Sequence, residues 1–358
     1  MTAPRLTAER LLAAARAVSA PDVVFACSQD GERRSAAAGT AARAADQEPR
    51  PELRHEIGSA TKTFTGLLLA HLAHRGVLGL DTPLTALLPQ PPPPHGHRDA
   101  ITPYTLLTHT SGLPRLPREL YRRALTRRRN PYEGYTYAQL TAAFGRSRPR
   151  RAPGSRWHYS NFGVALLAPA LEHLTGRPFP ELMAEQVLAP LGLPGTVLGA
   201  GSPGAAAGAP GAAAGAPGAA ARAPGDATGH GGDGRTVFPP FDPGAFLAAG
   251  GVRATPGELL TYLEALLEPG RCPELGEALC AVREPVLRRG RGHRQGHTLT
   301  WFSHPTPRGP LLFHSGATPG QEAFLALRPA TGTALVALAN RRYTRGSTLQ
   351  QQAYDLFG

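Results

Sequence analysis

Apolar residues recur at helical spacing through "LTAERLLAAARAV" near the start of the chain, then give way to "PDVVFACSQ" and "GERRSAAAGT", two strand-like stretches flanking Asp30-Gly31. An Asp-Gly pair in that setting predicts a tight β-hairpin, because both residues tolerate the left-handed backbone of a two-residue turn. A strand-like "LRHEIG" leads into "SATKTFTGLLLAHLAHRG", where Phe64, Leu67, Leu68 and Leu72 mark one face of a helix that Gly76 ends. From residue 256 the helical spacing returns in "PGELLTYLEALLEP". Strand-like "HTLTWFSH", "PLLFHSG", "QEAFLALRP" and "TGTALVALAN" follow, with a closing helix in "STLQQQAYDLFG".

Strands at both ends with helices between predict an α+β fold. One antiparallel sheet is assembled from the N- and C-terminal segments and flanked by helices, an α/β sandwich lobe that carries a mainly helical lobe as a long excursion. We expect a single domain over 1–358, with the sheet lobe at 1–80 and 251–358 and the helical lobe at 81–250. Residues 204 to 224 hold three seven-residue copies, "GAAAGAP", "GAAAGAP" and "GAAARAP". Each copy contains proline and no large apolar residue, so the repeat cannot pack as a coiled coil. The segment 200–226 is therefore expected to be a disordered insertion.

Composition adds bounds. At 358 residues and 41% hydrophobic content the chain can bury a sizeable core. Its formal charge is +12, with arginine clusters at Arg122 and Arg123, Arg127 to Arg129, Arg146 to Arg151 and Arg288 to Arg291. These clusters are scattered and accompany no nucleic-acid module, so they read as a coding bias toward arginine and no nucleic-acid partner is expected. Cys27, Cys272 and Cys280 are an odd set without metal-site spacing, which argues for a reducing compartment. The N-terminal stretch is interrupted by Arg10 and Arg16, unlike a signal peptide, and no window reaches the roughly 18 apolar residues of a membrane span. The expectation is a cytoplasmic protein with no membrane partner; oligomeric state leaves no trace in the pattern.

One feature of the charge is chemical. Of 38 Lys and Arg residues, 37 are Arg, and the single lysine is Lys62, three residues after Ser59 in "IGSATKTF". If Ser59 lies where strand gives way to helix, Lys62 sits one turn on and on the same face. A free serine is a poor nucleophile and needs a base, and lysine serves only when desolvation and the helix N-terminus lower its pKa. Arginine would stay protonated there, which is a physical reason for one ammonium to survive.

Two further stretches carry suitable groups. "WHYSNFG" supplies Tyr159, whose hydroxyl can relay a proton, and Asn161, whose amide can donate to a carbonyl. "FHSGATPG" places His314 and Gly316 at the end of a strand-like run. A glycine at that edge would let a substrate backbone approach, and the amide of Ala317 would join that of Ser59 as an oxyanion hole. No serine lies in a Gly-x-Ser-x-Gly elbow, which excludes an α/β-hydrolase reading, and there is no His-Glu-x-x-His. The pairs His71/His74 and His95/His97 lack a convincing third ligand, so neither metal nor cofactor is expected.

Ser59-x-x-Lys62, Tyr159-x-Asn161 and His314-x-Gly316 together resemble the three motifs of the serine beta-lactamase-like, penicillin-binding hydrolases. The chain is most similar to their class C and DD-peptidase-like branch, which includes esterases. "YTLLTHTSGLP", "RAPGSRWHYSNFGVALLAPALEHLTG" and "AAGGVRATPGELLTYLEALL" agree, and the likeness runs from about residue 5 to 356 apart from the insertion. It implies a serine hydrolase that forms an acyl-Ser59 intermediate from a small ester or amide. Lys62 and Tyr159 would share the proton traffic, the amides of Ser59 and Ala317 would hold the oxyanion, and Asn161 would orient the acyl group. His109 and Ser111 are expected to buttress the site.

Two departures bear on substrate. Many relatives have Lys-Thr-Gly where this chain has His314-Ser315-Gly316, and no second lysine exists to anchor a substrate carboxylate. A histidine largely neutral near pH 7 attracts a carboxylate weakly, so beta-lactam and peptide substrates are disfavoured. There is also no Glu-x-x-Leu-Asn stretch for a class A deacylation base. The other readings of the same residues are an acyltransferase using the same acyl-enzyme, a DD-peptidase or weak beta-lactamase, and a penicillin-binding sensor without turnover.

Overall fold

Asp30 and Gly31 both adopt positive φ, 54° and 76°, and close a two-residue turn between β1 (Val23–Gln29) and β2 (Glu32–Ala38). Gln29 pairs with Glu32 directly across it, the expected hairpin. The structure, a computed structural model, describes residues 5–40, 52–127, 129–199, 225–289 and 295–357. The remaining strands are β3 (His55–Glu56), β4 (Val197–Leu198), β5 (Val252–Ala254), β6 (Leu287–Arg289), β7 (Gln295–His297), β8 (Phe302–His304), β9 (Leu311–Ala317), β10 (Glu322–Arg328) and β11 (Thr333–Ala339). Eight of them form one antiparallel sheet in the order β2-β1-β11-β10-β9-β8-β7-β6, so strands from the two ends of the chain meet one strand in from the β2 edge, where β1 pairs with β11. A small sheet, β3-β5-β4, ties the start of the helical excursion to its end.

Both faces of the large sheet are covered, which explains why β11 reads "TALVALA" with no polar alternation. Phe25, Cys27, Leu335 and Ala337 pack on one face with the helices α1 (Ala8–Arg16) and α5 (Leu349–Phe357). Ala26, Ala334, Val336 and Leu338 point to the other, where α4 (Pro256–Leu267) and the helical lobe lie. The period of two persists, with apolar residues on both sides of it. The edge strand β2 has Arg33 and Arg34 near its start, charges that discourage a further strand from adding there.

Between β3 and β5 every regular element other than β4 is a helix among the described residues, including α2 (Thr61–His74) and the short α3 (Asn161–Ala165). The stretch "HTLTWFSH" departs from expectation. It is not one strand but β7 and β8, reversed at Thr298–Trp301, where Trp301 N donates to Thr298 Oγ1 at 2.9 Å and Thr298 N to Trp301 O at 2.9 Å. The threonine hydroxyl supplies the turn that a β-rich composition hides. The bulk of the expected insertion, residues 200–224, lies outside the described residues. Its predicted end is corrected: Asp226 is buried and pairs with Arg54 at 2.7 Å and Arg253 at 3.0 Å. One carboxylate between two buried guanidiniums holds this part of the chain against β3 and β5. Among the described residues, no helix is long and apolar enough to cross a membrane, and Cys27, Cys272 and Cys280 are all free thiols.

Candidate active site

The β8–β9 ladder ends at Phe302↔Phe313, so His314–Ala317 present a strand edge with no β8 partner. The turn Gly58–Ala60, which opens α2 and bears Ser59, docks on that edge. Contact is backbone to backbone. A Cβ on Gly316 would lie 1.8 Å from Ile57 O, and one on Gly58 would lie 2.6 Å from Ala317 O. Gly58 also has φ +49°, in the left-handed region that favours glycine. Gly316 thus makes room for the protein's own serine turn; the expectation that it admits a substrate backbone is corrected on this point.

Ser59 and Lys62 both meet the Tyr159 side chain, Ser59 by a hydrogen bond and Lys62 over the ring. Lys62 is 1% exposed, and its Nζ donates to Ala249 O at 2.8 Å. Burial, helped by the charge of Arg115, holds its pKa well below the ordinary lysine range. A lysine so placed gives up its proton more readily than a free one, and the amine it leaves has a lone pair. Nζ lies 5.1 Å from the centre of the Tyr159 ring, and Arg115 flanks the same ring at 5.6 Å. Burial pushes the Tyr159 phenol up to about 12, opposed by a hydrogen bond with Ser59 and by the Arg115 charge. At neutral pH the phenol therefore holds its proton, while the Lys62 ammonium is made easier to deprotonate.

The Tyr159–Asn161 loop is fixed from behind. His109, at φ 57°, stacks at 4.4 Å from the Tyr159 ring, its Nδ1 accepts from Ser160 N at 3.3 Å, and its carbonyl accepts from His158 N at 2.7 Å. Ser111 Oγ accepts from Leu113 N at 3.3 Å and holds its own segment, so the bonds to the loop are those of His109. Ser160 caps α3 through Gly163 N at 2.9 Å and sets Asn161 at its first turn. Asn161 hydrogen-bonds the Tyr132 side chain, and its Oδ1 is buried without a partner, facing the cleft it lines. An amide left incompletely satisfied beside a nucleophile is suited to a substrate amide or carbonyl group.

Ser59, Asn161 and Ala317 line one cleft of about 350 Å³, with Tyr132, Phe241 and Phe246 as its apolar wall. His314 is not among its walls. It is 1% exposed, its Nδ1 donates to Ser315 O at 2.8 Å, and its Nε2 is buried without a partner. Burial first, then the charge of Lys62, push its pKa down to about 3. His314 is thus a neutral neighbour of Lys62, on the far side of the strand edge from solvent. Arg129 and Arg342 line the cleft instead. The argument that a lone lysine leaves the site without a cationic anchor is corrected: guanidiniums arrive from two other elements. Arg115, Arg129, Tyr132 and Arg342 escaped sequence reasoning because nothing distinguishes three of 37 arginines until the chain is folded.

Burial of His55 and His314 has a consequence for stability. Their pKa values fall from 6.5 to about 4 and about 3, in both cases chiefly through desolvation. The unfolded chain takes up these protons as pH drops below 6.5 while the folded chain does not, so stability is full above that pH and declines toward pH 4. The urea midpoint at pH 4.5 is expected below that at pH 7, with a shallower decline in His55→Gln/His314→Gln. Identical midpoints would contradict this account.

A serine hydrogen-bonded to a protonated phenol, which a buried lysine of lowered pKa also faces, at the lining of one cleft, defines a serine hydrolase that works through an acyl-enzyme. Comparison with known proteins agrees, and this chain belongs to the beta-lactamase family, whose model matches residues 8–356. It is 30% identical over 327 residues to esterase EstB of Burkholderia gladioli, covering 86% of this chain and 82% of that protein. It is 25% identical over 319 residues to a beta-lactamase of Pseudomonas fluorescens, covering 80% and 79%. In fold it resembles a D-stereospecific amidohydrolase from Streptomyces (TM-score 0.75, 24% identity) and a class C beta-lactamase from Rhodobacter sphaeroides (0.76, 21%), each over 98% of both chains.

Proposed function

We propose that this hydrolase acts on small esters or amides whose acyl part carries a carboxylate, with Ser59 as nucleophile and Lys62 as its base. Ser59 Oγ attacks the carbonyl carbon while its proton passes to Lys62, directly or through Tyr159. The amides of Ser59 and Ala317 hold the oxyanion, and Asn161 hydrogen-bonds the acyl chain. Collapse breaks the bond to the leaving group, which departs with the proton. Water then attacks acyl-Ser59 and gives its proton to the same amine, which passes it to Ser59 Oγ as the acyl–oxygen bond breaks and the acid departs. The observation that carries this reading is the buried Lys62, its pKa held well below the ordinary lysine range and its amine fastened by Ala249 O at 2.8 Å, beside a phenol pushed up to about 12. Arg129 and Arg342 in the cleft support an anionic substrate, and Phe241 and Phe246 a short apolar segment beside it. A cytoplasmic setting belongs to this reading, supported by three free thiols.

The test compares p-nitrophenyl butyrate with p-nitrophenyl hemisuccinate, of similar length but ending in a carboxylate, and follows the adduct by intact mass. Continued release from both, one acyl group on Ser59 and no adduct in Ser59→Ala are expected. Arg342→Gln should raise KM for the hemisuccinate by roughly tenfold, the worth of one charge-assisted hydrogen bond, and leave the butyrate nearly unchanged. A single stoichiometric burst would sink turnover. An unchanged hemisuccinate KM would sink the carboxylate.

A further inference from the structure

A second and larger concavity, about 840 Å³, lies in the helical lobe and shares no lining residue with the Ser59 cleft. Arg118, Arg146, Arg148, Arg150, Arg151 and Arg156 all line it. In the sequence Arg146, Arg148, Arg150 and Arg151 form one cluster, and folding wraps it with Arg156 and the distant Arg118 around one hollow. Glu119 is the only carboxylate of the lining, and it is already paired with Arg146. The other five arginines are exposed and form no ion pair among the described residues. Like charges brought together in a concave surface repel one another and focus a positive potential, which an anion relieves. Planar guanidiniums match phosphate oxygens two at a time. The volume falls within the roughly 300–1,000 Å³ that small-molecule sites span, so a compact ligand fits better than a nucleic-acid strand.

The wall of this hollow is the back of the catalytic loop. His158 and Phe162, which line it, flank Tyr159 and Asn161. Around them Ser160 Oγ donates to Pro114 O at 2.7 Å and Phe162 N to Arg115 O at 3.1 Å, so the loop and the 111–115 segment form one laced wall between two cavities. We propose that this arginine-lined hollow is a second ligand site for a multiply phosphorylated small molecule, and that its occupancy acts on the Tyr159–Asn161 loop.

The test is calorimetric titration of the full chain with sodium tripolyphosphate, together with p-nitrophenyl butyrate kinetics. Wild type should bind saturably, more weakly as salt rises, and show a changed kcat or KM when saturated. Arg148→Gln/Arg150→Gln/Arg151→Gln should lose roughly tenfold or more in affinity. Two controls should keep it: Arg16→Gln/Arg122→Gln/Arg288→Gln, which removes equal charge from other exposed positions, and Arg342→Gln, which removes one charge from the Ser59 cleft. Circular dichroism reads folding, and Arg156→Gln replaces the triple if that variant is unfolded. ATP binding with the same variant sensitivity supports the phosphate chemistry. No saturable binding, equal losses in the two triples, loss in Arg342→Gln, or displacement by a short single-stranded RNA at lower concentration would overturn the assignment. Saturable binding with unaltered ester kinetics would overturn the coupling to the loop.

Discussion

Lys62→Arg is expected to lower ester turnover by about 10²–10⁴-fold, the usual worth of a positioned general base. The substitution keeps a long cationic side chain and removes the one property argued to matter, the ability to be neutral at working pH. Lys62 is 1% exposed and its pKa lies well below the ordinary lysine value, which favours the proposed transfer of the Ser59 proton to it. The wild-type pH profile should therefore rise on an acid limb well below pH 10.5, as Lys62 loses its proton. A buried guanidinium also risks misfolding, so Lys62→Met serves as the companion: it fills similar space without a charge and should lose a comparable amount of activity. Wild-type rates in either folded variant would remove lysine from the mechanism.

Gly316→Ala is expected to be nearly as damaging, although glycine contributes no reactive group. Its new Cβ would lie 1.8 Å from Ile57 O and 2.9 Å from Ala60 N, both backbone atoms of the segment that carries Ser59. Neither can rotate aside, so the turn must retreat from β9, carrying the Ser59 amide away from that of Ala317. Displacement of about 1 Å costs on the order of 10²-fold in a positioned reaction. The expected result is a loss of that size in kcat/KM with a destabilisation of about 1–3 kcal/mol from overpacking, read by urea titration. Gly257→Ala tests specificity, since its added Cβ would meet nothing within 4 Å. An active Gly316→Ala enzyme would mean that the two backbones are not held as close as described.

The hairpin at Asp30-Gly31, the helix after Ser59 and the Tyr159-x-Asn161 loop were legible because each depends on neighbours in the chain. Left-handed turn residues, period-four apolar spacing and an i,i+3 pair are local quantities. So was the choice of nucleophile, because a lone lysine among 37 arginines narrows the base to one position. Local reasoning failed where the answer depended on distant partners. "HTLTWFSH" hides a turn made by the Thr298 hydroxyl, and Asp226 looks like the end of a low-complexity run until Arg54 and Arg253 close on it.

The sequence by itself determined which groups are proposed to react in this beta-lactamase-family hydrolase, since the chemistry needs particular atoms and Ser59, Lys62 and Tyr159 supply them in a recurrent pattern. Tertiary structure alone decided the environment of those atoms. It buried Lys62 and His314, which lowers the pKa of both and leaves His314 outside the lining of the cleft. It also brought Arg129 and Arg342 to the cleft, and six further arginines to the hollow behind the loop. The reason is physical: a side chain's identity is written at one position, but its protonation and its neighbours depend on desolvation and on charges that lie close in space and far apart in the chain.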